Sequence, residues 1–206
     1  MSNLTNFHLK RCFTLLLMVL TLLGFWHPEA SAQTLAKATF AGGCFWCMEK
    51  PFDTLPGVVS TTSGYTGGQT ERPSYRQVSS GKTGHAESVQ VVYDPTQVSY
   101  EKLLDVFWHN VDPLDGGGQF CDRGSQYRSS IFFYDDKQRQ LAEQSKQALE
   151  QSGIQPIATQ IVSAGEFYPA EDYHQNYYKT NALKYRFYRS ACGRDRRLAQ
   201  VWGRAN

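Results

Sequence analysis

The stretch ATFAGGCFWCMEKPFD, residues 38–53, sets Cys44 and Cys47 one helical turn apart behind Gly42 and Gly43, with Phe45 and Trp46 between them. Two cysteines at this spacing can clip a metal, run dithiol redox chemistry, or supply one working thiol with a neighbour. A zinc clip needs a second close pair of ligands, and Cys121 and Cys192 are far apart in the chain. A thioredoxin-type dithiol suits a helix start, where thiol pKa values fall. Here, however, two glycines and not a Trp precede the pair, and no βαβ context surrounds it. A single working thiol at Cys44 has its own physical case: free backbone N–H groups and the positive end of the helix dipole favour thiolate there, so Cys44 is expected to be nucleophilic near neutral pH. Phe45 and Trp46 form either an apolar wall beside it or the core face of an amphipathic helix.

A thiol nucleophile working on a poor leaving group needs a proton donor. The segment GKTGHAESVQ offers Glu87 at a turn-to-strand junction, two residues after His85. The ordinary reading of a lone carboxylate at such a junction is a solvated surface group. Tyr75 in RPSYRQV and Tyr127 in CDRGSQYRSS are phenols able to orient an oxygen, or packing residues of strands.

The elements that must hold these groups follow from periodicity. KATFAGG reads as a strand closing on two glycines, and CFWCMEKPFDTL as a helix kept short or kinked by Pro51. GVVSTTSGYTGG is a β-branched strand, and RPSYRQVSSGKTGH a turn-rich connection. AESVQVVYDP alternates as a half-buried strand, and SYEKLLDVFWHN carries Leu103, Leu104, Phe107 and Trp108 at helical spacing behind Ser99 as N-cap. After a long Gly-rich loop come a strand at YRSSIFFYD, a charged helix ending at Gly153, a strand at IATQIVSAGEFYP and a helix at AEDYHQNYYKT. Strands and helices intermix without βα alternation or a Gly-x-Gly-x-x-Gly turn, which favours an α+β sheet domain over a doubly wound nucleotide-binding fold.

The 206 residues, 41% hydrophobic and 19% charged, suit one domain with its own core. Residues 1–32 are set apart from it: Lys10 and Arg11 precede the apolar run CFTLLLMVLTLLGFW, and Ala30-Ser31-Ala32 follows. That pattern predicts a secretory signal peptide, with a retained anchor as the alternative. The domain then spans residues 33–206, with a C-terminal tail over 183–206. Removing the leader takes away Lys10, Arg11, Glu29 and Cys12 and leaves a net charge of about +1, so no nucleic-acid partner is implied. Cys44, Cys47, Cys121 and Cys192 would then stand in an oxidising compartment, where two static bridges are the bland expectation.

Taken together, GGCFWCME, LPGVVSTTSGYTGG, PSYRQVSSGKTGHAESVQVVYDP, LLDVFWHNVDP, DRGSQYRSSIF and EFYPAEDYHQNYY strongly resemble the peptide methionine sulfoxide reductase family, A class, in order from Thr39 to Tyr178. The resemblance implies a single domain with a mixed, ferredoxin-like central sheet flanked by helices. It implies thiol-dependent reduction of methionine S-sulfoxide, free or in oxidised proteins, with no cofactor and no metal. Cys44 matches the nucleophile, Glu87 the acid, Tyr75 and Tyr127 the phenols that assist it, Phe45 and Trp46 the methyl pocket, and Asp122 a residue that meets the substrate backbone. Attack leaves a sulfenic acid on Cys44, which a second thiol converts to a disulfide for an external dithiol to reduce.

The chain departs from the family pattern at Cys47, where many members carry Gly, at Arg123, where many carry His, and in a tail that is basic and not Gly-rich. Cys192 is the first candidate for the resolving cysteine, on a tail expected to be mobile, with Cys121 and Cys47 as alternatives. The tail tyrosine that joins the site is Tyr185 or Tyr188. Export implies a periplasmic or equivalent location, a thioredoxin-like donor there, membrane contact only through the signal peptide, and an expected monomer.

Overall fold

The computed structural model describes residues 34–203; the predicted signal peptide lies outside them. Strand β1 (Ala36–Gly42) leads into helix α1 (Phe45–Asp53), then β2 (Val58–Thr66), a short α2 (Tyr75–Ser79), β3 (Ala86–Tyr93) and α3 (Tyr100–Trp108). Two-residue strands β4 (Gly118–Gln119) and β5 (Asp122–Arg123) form a ribbon within the Gly-rich loop. There follow β6 (Ser129–Phe133), α4 (Asp136–Gln151), β7 (Gln160–Ser163), β8 (Tyr168–Pro169), α5 (Tyr177–Thr180), α6 (Ala182–Ala191) and α7 (Arg194–Trp202).

The main sheet has the order β7-β6-β1-β3-β2-β8, antiparallel except for the parallel pair β6/β7. Its four central strands with α1 and α3 make the β-α-β-β-α-β arrangement of ferredoxin-like folds, as expected. Phe40 of β1 faces the helical side and stacks on Phe52 of α1 at 5.0 Å and on Phe107 of α3 at 5.3 Å between ring centroids. Met48, Val89, Val91, Leu103 and Leu104 complete this core. Each large apolar side chain so buried stabilises the fold by about 1.5–3 kcal/mol. Ser99 caps α3 by accepting the Lys102 N–H at 3.2 Å, as its sequence position predicts, and Asp135 caps α4 through Gln138 N–H at 2.8 Å.

Three connections differ from the sequence-based expectation. The turn-rich segment before β3 contains α2, because Ser74 and Gln77 form a reciprocal capping box. The helix expected over AEDYHQNYYKT breaks into a 3₁₀ turn at Asp172–His174 and the short α5, since Asn176 adopts a left-handed φ of 51°. The tail is not a loose arm: α6 and α7 pack on the domain, with Leu198 and Arg194 buried and the Trp202 indole donating to the Val111 carbonyl at 3.0 Å.

Sheet register determines where chemistry can occur. β1 runs antiparallel to both β3 and β6, with Ala41 opposite Ser88 and Gly42 opposite Ser129. The exit of β1 therefore meets the entries of β3 and β6 at one end of the sheet. Cys44, Glu87 and Tyr127, distant in sequence, are thereby gathered.

Candidate active site

The Gly42-Gly43 turn delivers Cys44 to this sheet end. Gly43 has a φ of +81°, and a Cβ there would lie 2.7 Å from Gln119 Cβ; one on Gly42 would lie 2.6 Å from a Val111 methyl. Only glycines let the chain turn this tightly from β1 into α1. Cys44 caps α1 and is buried at 6% exposure, and Glu87 beside it at 2%. The first amide of the helix, Phe45 N–H, donates to the Glu87 carboxylate at 3.1 Å.

That bond corrects one expectation. The free helix N–H assigned to Cys44 serves Glu87 instead, and Cys44 makes no side-chain cap bond. Burial pushes the Cys44 thiol well up, reinforced by its hydrogen bond with Cys47 and by the nearby Glu87 carboxylate. The two sulfurs share one proton unequally. Cys47 falls to about 6, through the hydrogen bond from Cys44 and, against its own burial, the positive charges of Arg194 and Arg189.

Glu87 itself is pushed up to about 8 by burial, which outweighs the Phe45 amide. At neutral pH it is mainly a neutral acid with a proton to give. Tyr75 and Tyr127 both lie close enough to feel Glu87 and Cys44; burial pushes Tyr75 up to about 12 and Tyr127 upward as well, so both remain hydrogen-bond donors. Tyr75 is held by Glu171, which accepts its backbone N–H and the Tyr65 hydroxyl, each at 2.8 Å.

The aromatic wall has two unequal halves. Phe45 is buried against Tyr65, Tyr75 and His174. Trp46 remains partly exposed, stacked on Tyr177 at 3.7 Å, edge-on to Tyr188, and tied by its indole N–H to His174 Nδ1 at 3.0 Å. Asp122 accepts the Tyr188 hydroxyl at 2.5 Å, which places Tyr188 at the rim and leaves Tyr185 buried. Neither His174 nor Tyr177 is a candidate from sequence reasoning; the 3₁₀ turn and α5, on either side of the left-handed Asn176, bring both rings against Trp46.

The cysteine placement also differs from the first expectation. Cys121 and Cys192 are joined in a disulfide beside Asp122, so Cys192, the leading resolver candidate, is already bonded. The free thiols are Cys44 and Cys47. One bridge and two free thiols replace the two static bridges of the bland alternative.

Residues 36–206 match the family model described as peptide methionine sulfoxide reductase. This chain belongs to that family. It is 57% identical to peptide methionine sulfoxide reductase MsrA of Bacillus licheniformis over 84% of this chain and 97% of the relative, and 55% identical to the Bacillus subtilis MsrA over 81% and 95%. Among solved structures, methionine sulfoxide reductase A of Corynebacterium diphtheriae superposes with a TM-score of 0.66 at 38% identity, covering 75% of this chain and 78% of that one. Mxr1 of Saccharomyces cerevisiae in reduced form gives 0.68 at 32% identity, covering 75% and 90%. The same yeast protein in complex with Trx2 gives 0.50 at 25% identity, covering 74% and 91%. The reductase fold expected from the resemblance, a mixed α+β single domain, is the one observed.

Proposed function

We infer that this chain reduces methionine S-sulfoxide to methionine, with Cys44 as nucleophile and Glu87 as acid. The observation that carries this reading is a free Cys44 at a helix entrance beside a buried carboxylic acid with a pKa of about 8, in a chain of this family. Proton transfer from Cys44 to the Cys47 thiolate arms the nucleophile at the moment of attack. The Cys44 sulfur attacks the sulfoxide sulfur as the sulfoxide oxygen takes the Glu87 proton; passage of that hydroxyl to Cys44 with cleavage of the new S–S bond releases methionine and leaves Cys44 as a sulfenic acid. Tyr75 and Tyr127 donate hydrogen bonds to the same oxygen. Trp46 and Phe45 hold the substrate methyl group, and Asp122, on Tyr188, meets the substrate backbone.

Cys47 is the resolving cysteine in this reading. It condenses with the Cys44 sulfenic acid, releasing water and closing a Cys44–Cys47 disulfide. An external dithiol of thioredoxin type reopens that bridge by exchange, in keeping with the Trx2 complex of the yeast relative. The Cys121–Cys192 bridge supports a second part of the proposal, that the protein works outside the cytoplasm after loss of residues 1–32, since such bridges persist in oxidising compartments. N-terminal sequencing of protein from fractionated cells tests this: a start at residue 33 in the extracytoplasmic fraction is expected, and an intact Met1 in the cytosol contradicts it. For the chemistry, Cys44→Ser is expected to abolish methionine release even in a single turnover, and a fully active Cys44→Ser protein would overturn the assignment.

A further inference from the structure

Glu49, on the second turn of α1, is completely buried, yet the chemistry derived above makes no use of it. A carboxyl group is rarely buried unless some polar group needs it there. The group that needs it is the backbone N–H of Asn176, which Glu49 Oε1 accepts at 3.1 Å; Oε2 is buried with no hydrogen-bond partner. Asn176 is also the left-handed residue, at a φ of 51°, that separates the 3₁₀ turn of His174 from α5. Asparagine tolerates that conformation better than most residues with a side chain, but its surroundings must hold it there. Burial pushes the Glu49 carboxyl up to about 7 against the pull of the Asn176 amide, so the fold keeps this group at a cost to its ionised form.

The contact is one of three made by a single face of α1. Trp46, Glu49 and Asp53 follow one another at steps of three and four residues, the spacing that lines side chains along one side of a helix. They meet residues 176–179 together. Trp46 stacks on Tyr177 with ring centroids 3.7 Å apart and 6° between planes, Glu49 takes the Asn176 N–H, and Asp53 accepts the Tyr178 hydroxyl and, at 2.5 Å, the Lys179 ammonium. The Asp53–Lys179 pair is open to water and holds little by itself, and both rings of the stack are partly exposed. Of the three contacts, that of Glu49 is the one shielded from solvent. We propose that Glu49 is a positioning residue for the wall against which the substrate methyl group rests: by accepting the Asn176 N–H it fixes the left-handed turn that sets Tyr177 flat against Trp46. The proposal rests on the reading that Trp46 holds the methyl group of a methionine sulfoxide. Its loss belongs in KM more than in kcat, because Glu49 acts on the wall and not on the reacting sulfur.

The test compares the full-chain wild type with Glu49→Leu, Glu49→Gln, Tyr177→Leu and the Glu49→Leu/Tyr177→Leu double variant. Steady-state kinetics are measured with an S-epimer methionine sulfoxide substrate and a dithiol reductant. The Trp46 indole N–H signal, assigned by its disappearance in Trp46→Phe, is followed by NMR without substrate. Glu49→Leu leaves the Asn176 N–H without its acceptor and is expected to raise KM about tenfold, the weight of one buried hydrogen bond, with a smaller change in kcat and a displaced indole signal. Glu49→Gln keeps an acceptor and should restore most of both. The double variant should have the KM of Tyr177→Leu alone, since the two residues act through one contact. A folded Glu49→Leu protein with wild-type KM, a Glu49→Gln protein as impaired as Glu49→Leu, or additive losses in the double variant overturns the role of Glu49 and leaves the reductase standing. A wild type that releases no methionine overturns the reading of the site, and the proposal with it. Should Glu49→Leu not fold, Tyr177→Leu decides: an unmoved KM and indole signal in that variant sinks the proposal.

Discussion

At the scale of single residues, the site works by making neighbours compete for one environment. Glu87 and Cys44 are buried together at the same helix entrance, and the first helical amide goes to the acid. Burial still raises Glu87 to about 8, so its proton is present below that pH and lost as pH rises through it. The rate of single-turnover methionine release is therefore expected to fall above about pH 8, and a rate that holds flat to pH 9.5 would contradict a Glu87 acid. Glu87→Gln should slow that step by about 10²–10⁴-fold, the usual weight of a general acid, with substrate binding largely kept. Linkage gives an independent check. Because the folded-state pKa of Glu87 is raised, folding favours its protonated form, so its stabilising protonation is present at low pH and is lost as pH climbs toward 8. Glu87→Gln removes the buried charge, and its melting temperature should exceed that of the wild type by about 2 °C or more at pH 9. Equal melting temperatures there would mean the carboxylate is not desolvated. Cys44, Glu87, Tyr75 and Tyr127 were legible as candidates in the sequence through their motifs, and the fold brings them near one another. The direction of the Cys44 shift was not, because a helix start says nothing about which side chain captures its first amide.

At the scale of elements, the antiparallel neighbours of β1 bring the site residues together, and the tail helices cover them. Strands and helices of strong periodicity, β1, β3, α3 and α4, were readable from alternation, from helical spacing, from the cap at Ser99 and from the stop at Gly153. The segments that were misread are those set by one unusual residue or by tertiary packing. Asn176 in the left-handed region ends a run that otherwise looks helical, and the basic, aromatic tail looks solvated until Arg194, Leu198 and Trp202 find their places. His174 closes the 3₁₀ turn just before that break. Its Nδ1 accepts the Trp46 indole N–H, and burial holds its ring below the usual imidazole range, so it remains the neutral acceptor this bond requires. His174→Phe should loosen Trp46, raising KM about tenfold with a smaller change in kcat and shifting the tryptophan emission. An unchanged KM and spectrum would show that Tyr177 stacking alone fixes the indole. In the core, Phe40→Ala should cost about 3–5 kcal/mol in denaturant unfolding, since this ring joins α1 and α3 to the sheet.

At the scale of the whole molecule, four cysteines divide into two pairs with different tasks. One pair fastens the tail to the β4/β5 ribbon; the other stands free at the site. The family resemblance made Cys192 the first candidate partner of Cys44, on a tail expected to be mobile enough to fold over the site. The tail instead forms α6 and α7, with Cys192 bridged to Cys121, and pairing across 71 residues cannot be read from a linear chain. In the proposed cycle, sulfoxide reduction and disulfide closure occur within one helical turn, leaving only the final exchange to a partner. The most direct test is disulfide mapping of the purified protein after one turnover with an S-epimer methionine sulfoxide substrate and no reductant, with the methionine released quantified. One methionine per protein with a new Cys44–Cys47 bridge, and Cys121–Cys192 unchanged, is the result this account predicts. Methionine release with Cys44 joined to Cys121 or Cys192, or no release at all, would contradict it.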